Sequence, residues 1–227
     1  MSDEPQSDPI ASLRIDRSST AERVADVLRE SIIQGDLPPG TPLREQQLVG
    51  SFDVSRNTIR EAFRLLSRER LVVYQMHRGV EVRGLGLDDI RDIYRTRRSL
   101  ELAAVAHSAN APRELLVDLL RLVEEAEEAA RIDDWKQVAT LNIVFHQQLV
   151  DLIGSVRISA FFRVVDAELR LAFAVVDGAE AFFHPFIARN RRLAELLLAG
   201  DRATAGEELE AYLDEAERMI SQGIAST

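Results

Sequence analysis

The most constraining part of the chain is residues 32–83, where turn-forming residues, helical periodicity and short β-rich runs follow one another in a set order. The Pro-Pro-Gly run at residues 38–40 cannot continue a helix and marks a turn. A short polar helix is predicted over residues 44–51, and a second helix follows for which Ser55 is a suitable N-cap. Two β-rich runs then flank a tip at residues 75–79. This order predicts a winged helix-turn-helix, a fold that enters the grooves of double-stranded DNA.

A further helix is predicted before this segment. Ser19 and Glu22 form a capping box that would start it, and Gly35 would end it. Its apolar residues recur at helical spacing and form one stripe: Val24, Val27, Leu28 and Ile32.

The helix that follows Ser55 has two different faces. Its apolar residues share one side and predict a core stripe: Ile59, Ala62, Phe63 and Leu66. The opposite side carries polar and basic residues: Arg56, Asn57, Arg60 and Arg64. Solvated arginines on an ordinary helix surface are one explanation, and contacts to phosphates and base edges are the other. The full order of turn, helix, capped basic helix and wing favours DNA binding.

Charge is distributed in a way that suits contact with DNA at one end. The whole chain has a formal net charge of −10, but residues 54–83 hold seven arginines against three acidic residues. We expect the DNA contacts to come from the two short helices and the tip of the wing, through Arg44, Gln46, Ser55, Arg56, Asn57, Thr58, Arg60, Arg64, His77, Arg78 and Gly79.

The rest of the chain is helical in pattern, with no alternating strands. After a linker at residues 84–87, breaks at Pro and Gly divide residues 88–222 into six segments that predict an antiparallel all-α bundle. The predicted helices cover about 88–109, 112–131, 134–153, 157–177, 180–199 and 201–222. Six phenylalanines are expected mostly in its core: Phe161, Phe162, Phe173, Phe182, Phe183 and Phe186. The predicted fold class is therefore mainly α, with a winged domain at 18–83 and a helical domain at 88–222.

Two stretches resemble the GntR family of bacterial transcription regulators. The turn at residues 33–43 and the helix start at residues 54–62 (Val-Ser-Arg-Asn-Thr-Ile-Arg-Glu-Ala) both match its motifs. The resemblance covers residues 20–83 and implies a DNA-binding regulator. Arg70 departs from it, because the family usually has glycine between helix and wing. We expect Arg70 either to be strained or to add a phosphate contact.

The helical part resembles the ligand-binding domain of the FadR-like (FCD) subgroup of that family. Many such domains hold a divalent metal through an Asp, a His four residues later and two more histidines. The corresponding residues here are Asn142, His146, Asn190 and Tyr212, so the resemblance implies a degenerate site and we expect no metal cofactor. His184 could supply another ligand in principle, but Pro185 places it near a helix start.

These polar residues remain candidates for an effector site. The resemblance also places Arg97 there, where it could hold a carboxylate or phosphate bidentately. The predicted effector-binding set is Arg97, Asn142, His146, Asn190 and Tyr212, and the expected effector is anionic, such as an organic acid. The alternative for His146 is a hydrogen-bonded core histidine.

The leading hypothesis is a transcriptional regulator, most simply a repressor, that binds a pseudo-palindromic operator as a homodimer and releases it when an effector binds. One alternative is a metal-dependent enzyme in the helical domain. The sequence gives it little support, because it contains no cysteine and no hydrolase or phosphate-loop motif. Another is an effector-binding module with a non-functional DNA-binding end.

The remaining expectations concern location. Residues 1–17 are polar and acidic and predict a disordered tail rather than a secretory signal. No apolar run approaches the roughly 20 residues that span a bilayer. We therefore expect a cytoplasmic protein with no membrane contact.

Overall fold

The fold is mainly α, as the sequence predicts. The computed structural model describes residues 19–76, 78–173 and 178–225. The tail predicted as disordered at residues 1–17 and the predicted DNA contact His77 lie outside the described residues. Among the described helices, none is both long enough and apolar enough to cross a membrane.

The N-terminal unit is a small helical domain with a three-stranded sheet. Its elements in chain order are α1 (Thr20–Ile33), β1 (Pro42–Leu43), α2 (Glu45–Phe52), α3 (Arg56–Arg68), β2 (Val72–Gln75) and β3 (Gly79–Val82). Strand β3 lies between β1 and β2 and is antiparallel to both. The sequence predicts β2 and β3 but not β1, because a two-residue edge strand has no periodicity to read.

Local sequence explains how these helices begin and pack. The capping box of α1 is present, with the Ser19 hydroxyl accepting from the Glu22 amide at 3.2 Å. The predicted core stripe of α3 is fully buried. On α1, however, Val27 is 51% exposed, so its place in the predicted core stripe is wrong. The other three residues of that stripe, Val24, Leu28 and Ile32, are buried as predicted.

The C-terminal unit is a helical bundle. Its helices are α4 (Leu87–His107), α5 (Arg113–Arg131), α6 (Trp135–Asp151), α7 (Val156–Phe173), α8 (Ala179–Ala199) and α9 (Arg202–Ala225), with a 3-10 turn at Ser108–Asn110 after α4. The predicted final residues of α7, 174–177, lie outside the described residues. Four of the six phenylalanines are buried in the core, Phe173 is half-buried, and Phe161 is 55% exposed. The expectation for Phe161 is wrong, because it lies on the outer face of α7.

Helix α7 joins the two units. Leu171 of α7 is 2% exposed and packs into the apolar core of the winged domain. The Arg83 Nη1 atom, just after β3, donates to Glu168 Oε2 of α7 at 2.9 Å. On another part of the same junction, Lys136 Nζ donates to Gln34 Oε1 at 2.9 Å. The winged domain is therefore docked against the bundle through packing and charge together.

Candidate DNA-reading face and buried polar cluster

The predicted DNA-reading face of α3 is exposed. Arg56, Asn57, Arg60 and Arg64 all lie on the side opposite the buried stripe. Two of these arginines hold carboxylates of the chain itself: Arg60 Nε lies 3.0 Å from Glu45 Oε1, and Arg64 Nη1 lies 2.8 Å from Glu61 Oε2. Exposed pairs of this kind contribute little to stability, so a phosphate can replace the carboxylate at small cost.

Ser55 and Thr58 set the start of the reading helix. The Ser55 hydroxyl accepts from the Thr58 amide at 3.1 Å, and the two hydroxyls lie 2.8 Å apart. The preceding turn is tight, with Asp53 in the left-handed region at φ 50°. Both predicted contact residues therefore fix the direction in which the first turn of α3 points.

The remaining predicted contacts flank this face. Arg44 and Gln46 are exposed at the start of α2. Arg78 and Gly79 lie at the tip of the wing, where Gly79 has φ +89°, a conformation that side chains rarely allow. Arg44, Tyr74 and Arg78 line one surface cleft of about 610 Å³ between wing and α2.

Arg70 does not project towards the reading face. Its backbone is in the left-handed region at φ 57°, which explains why glycine suits this position. Its Nη1 atom lies 3.6 Å from Glu168 Oε1 on α7. Of the two expectations for this residue, strain is confirmed, and its charge faces the bundle.

The five predicted effector-site residues converge inside the bundle. Asn142 Oδ1 on α6 accepts from Asn190 Nδ2 of α8 and from the Tyr212 hydroxyl of α9, each at 2.9 Å. The rings of His146 and Tyr212 lie 4.9 Å apart between centroids. Arg97 of α4 joins this cluster through the Glu101 carboxylate, which also contacts His146.

Arg97 and His146 are joined by Glu101, a carboxylate that the sequence analysis does not assign. Arg97 Nε donates to Glu101 Oε1 at 2.7 Å, and His146 Nδ1 contacts Glu101 Oε2 at 2.6 Å. All three side chains are at most 2% exposed. Burial alone would raise the pKa of Glu101, but Arg97 and His146 outweigh it and hold that pKa below its ordinary value. Arg97 therefore already holds a carboxylate.

Burial also sets the state of His146. It lowers the pKa of the imidazole, although Glu101 opposes the change. A neutral ring that donates its Nδ1 proton to Glu101 leaves Nε2 as an acceptor. That Nε2 atom is buried and has no hydrogen-bond partner among the described residues.

Asp166 of α7 is a second buried carboxyl that the sequence analysis misses. It is 1% exposed, and neither oxygen meets hydrogen-bond geometry with a described partner, although Gln147 lies close enough to oppose the rise in its pKa. Burial raises the pKa of Asp166 to about 8, while Arg97 opposes the rise. The sequence does contain one signal for this residue. Asp166 lies four residues after Phe162 and three before Leu169, so it shares the buried face of the helix with them.

The residues present do not fit a transition-metal site. His146 Nε2 is one suitable donor, but Asn142 Oδ1 already accepts two hydrogen bonds, and neutral amide and phenol oxygens bind such ions weakly. Within residues 19–76, 78–173 and 178–225, no three His, Cys, Asp or Glu side chains are grouped to hold a metal. His184 is exposed in the second turn of α8, where its ring lies 6.2 Å from Trp135.

Little space remains beside the cluster. The cavity next to Asn142 and Asn190 measures about 10 Å³ and has apolar walls that include Phe145 and Phe183. That is room for about one water molecule. Asn190 Oδ1, like His146 Nε2, is buried with no partner among the described residues.

Both units match known protein families. The model described as "Bacterial regulatory proteins, gntR family" matches residues 20–82, and the model described as "FCD domain" matches residues 92–215. The chain is 33% identical over 141 residues to a gluconate operon transcriptional repressor of Bacillus licheniformis, covering 62% of this chain and 58% of that protein. It is 27% identical to a probable D-xylose utilization operon transcriptional repressor of Paenarthrobacter nicotinovorans, covering 84% of each chain.

Solved structures agree with the fold. A crystal structure of a GntR regulator from Rhodococcus sp. RHA1 superposes with a TM-score of 0.82 at 39% identity, covering 89% of this chain and 98% of that one. The Escherichia coli protein McbR/YncC has the same fold, with a TM-score of 0.77 at 20% identity, covering 91% and 99%. Fold, reading face and relatives define a DNA-binding transcription regulator. The chain belongs to the GntR family and carries an FCD domain.

Proposed function

We propose that this regulator is a repressor whose helical domain binds a polyhydroxylated metabolite, a sugar or a sugar acid, at the buried cluster. The supporting observation is the set of unpartnered polar atoms. Among the described residues, His146 Nε2 and Asn190 Oδ1 are hydrogen-bond acceptors without donors, and neither oxygen of the Asp166 carboxyl meets hydrogen-bond geometry with a partner.

Hydroxyl groups are the chemistry that completes such a set. A buried acceptor without a donor is costly, and a ligand hydroxyl supplies the missing proton while removing that cost. Arg97 is already paired with Glu101, so the carboxylate of a sugar acid gains no ion pair from it, and its hydroxyl groups carry the recognition. The effector proposed here is therefore recognised mainly through hydroxyls, and the expected grip of Arg97 on an anion is not retained.

The relatives support the same class of ligand. Two of them are named as repressors of gluconate and D-xylose operons. Gluconate and xylose share a chain of adjacent hydroxyl groups, which matches the acceptors of the cluster.

We infer that the ligand releases DNA because the cluster has too little space for it in the present conformation. A metabolite is far larger than one water molecule, so the bundle must open to admit it. Helix α7 lines the cluster with Asp166 and packs into the winged domain with Leu171. We infer that opening of the bundle moves α7 and with it the reading helix. We propose that the active form is a cytoplasmic homodimer on a pseudo-palindromic site.

The test uses a DNA duplex that the purified wild-type protein selects from a random library. Gluconate, D-xylose and related sugars and sugar acids are titrated into the complex, and release is followed by fluorescence anisotropy. We expect at least one of them to release wild type, and Asn190→Leu to need about tenfold more of it, since it lacks the acceptor. The exposed Asn110→Leu variant is the control and should behave as wild type.

Asn190→Leu should still bind DNA as tightly as wild type, because Asn142 keeps its bond from Tyr212. Equal release of Asn190→Leu and wild type would contradict the assignment of the site. Failure of every polyhydroxylated compound would contradict the class of effector.

A further inference from the structure

We propose a second ligand site, for an aromatic carboxylate, in the cleft between the winged domain and the bundle. This cleft measures about 260 Å³. The turn after α1 contributes Ile33, Gln34 and Gly35, and α6, α7 and α8 contribute the opposite walls. It is separate from the buried cluster, since it opens at the junction of the two units.

One end of the cleft is cationic. Arg170 of α7 is half-buried, and its Nη1 atom donates to the hydroxyl of Thr140 at a long 3.5 Å. Among the described residues Arg170 forms no ion pair with a carboxylate. Lys136 lines the same cleft and contacts the neutral Gln34 side chain.

Nearby acids leave this end available to an anion. Burial lowers the pKa of Arg170, and the nearby carboxyl groups of Asp166 and Glu30 oppose the change. Asp166, one turn earlier on α7, has a pKa of about 8 and is largely uncharged at neutral pH. Neither Asp166 nor Glu30 forms an ion pair with Arg170 among the described residues, so a ligand carboxylate would supply one.

The other walls of the cleft are flat and apolar. Trp135, Phe173 and Phe183 line it, and the Phe173 and Phe183 rings meet edge to face with centroids 5.1 Å apart. Aromatic rings pack against such walls in offset or edge-to-face geometry. A ring with a short acidic side chain satisfies both ends of the cleft at once.

The position of the cleft gives this ligand a distinct effect. It would contact the turn of the winged domain and the bundle together, and so fix their relative orientation. Arg170 and Asp166 are four residues apart on α7, so a ligand here and an effector in the cluster would act on the same helix.

Trp135 makes the test direct, because it is the only tryptophan in the sequence. 3-Phenylpropionate is titrated into the full chain with excitation at 295 nm, and Trp135 emission is recorded at one fixed pH. The His184 ring lies 6.2 Å away, so its charge must stay constant. We expect a saturable change in emission, and about tenfold weaker binding of the uncharged 3-phenylpropionamide.

Variants assign the response to the cleft. Arg170→Gln and the exposed Lys136→Gln should each weaken binding of 3-phenylpropionate by about tenfold. Arg163→Gln, an exposed arginine on the same helix, is the matched control and should bind as wild type. Asn190→Leu should also bind as wild type, since it alters only the buried cluster.

The proposal would be overturned by the absence of a saturable response, by equal binding of the acid and its amide, or by unchanged binding in both Arg170→Gln and Lys136→Gln. Loss of binding in Asn190→Leu would place the probe in the buried cluster and would also overturn it. None of these results depends on whether a sugar releases DNA.

Discussion

At the scale of single residues, the buried cluster holds two carboxyl groups in different charge states. Glu101 is paired with Arg97 and His146, which keep its pKa below the ordinary value. Asp166 forms no ion pair among the described residues, and burial raises its pKa to about 8 although the charge of Arg97 opposes the rise. The first is therefore a fixed structural charge, whereas the second gains or loses its proton near neutral pH.

Replacement of Asp166 by Asn should change how stability depends on pH. An acid whose pKa is higher in the folded than in the unfolded chain binds an extra proton when folded, between about pH 4 and 8. The contribution of Asp166 to the free energy of unfolding is thus greatest at low pH, and it falls as the pH rises through that window. Melting temperatures of wild type and Asp166→Asn, measured from pH 6.5 to 8.5, should show wild type losing several degrees relative to the variant.

Wild type and Asp166→Asn differ at one residue, so the effects of the other titrating groups cancel in the difference between their melting temperatures. His146 acts in the opposite sense, because burial lowers its pKa, but it does so equally in both proteins. A constant difference in melting temperature across this range would show that Asp166 does not titrate there, and our account of its state would be wrong.

At the scale of elements, α7 connects the two functional regions. Asp166 faces the buried cluster, while Glu168 and Leu171 face the winged domain. Residues 166 and 168 lie on roughly opposite sides of a helix, so one element contacts both units directly. Any rotation or shift of α7 is therefore transmitted without an intervening loop.

Variants of Arg70 test the junction between α7 and the wing. Its left-handed backbone at φ 57° costs about 1 kcal/mol for a residue with a side chain. Arg70→Gly removes both the strain and the contact to Glu168, while Arg70→Ala removes the contact alone. Denaturant unfolding should therefore show the Gly variant about 1 kcal/mol more stable than the Ala variant.

Glu168 keeps its bond to Arg83 in both variants, so the junction should stay closed. An Ala variant as stable as the Gly variant would show that no strain is stored at this position. The left-handed conformation would then need another explanation.

At the scale of the whole molecule, much of the fold follows from local sequence. Caps and breakers are local signals, so the limits of α3 and of the bundle helices agree with prediction to within a few residues, apart from the end of α7, which lies outside the described residues. The errors arise where burial depends on what another element covers. Val27 and Phe161 have suitable spacing on their helices, but no element of the described residues covers them.

The buried cluster is predictable only in part, for the same reason. Family resemblance indicates the five residues that converge, but not the hydrogen bonds that join them. The link from Glu101 to His146 joins α4 to α6, and it depends on how each helix is rotated in the bundle. The spacing of Arg97 and Glu101 is visible in the sequence, yet it does not reveal that the pair is fully buried and satisfies itself.

The central claim is that the exposed face of α3 reads DNA, and one binding measurement tests it most directly. Wild type, Arg56→Ala, Arg60→Ala and the exposed control Arg131→Ala are titrated into the selected duplex and followed by fluorescence anisotropy. Arg56→Ala and Arg60→Ala should each weaken binding by about 1–3 kcal/mol, with melting temperatures close to wild type. Arg131→Ala should bind as wild type. Wild-type affinity in both α3 variants would contradict the account.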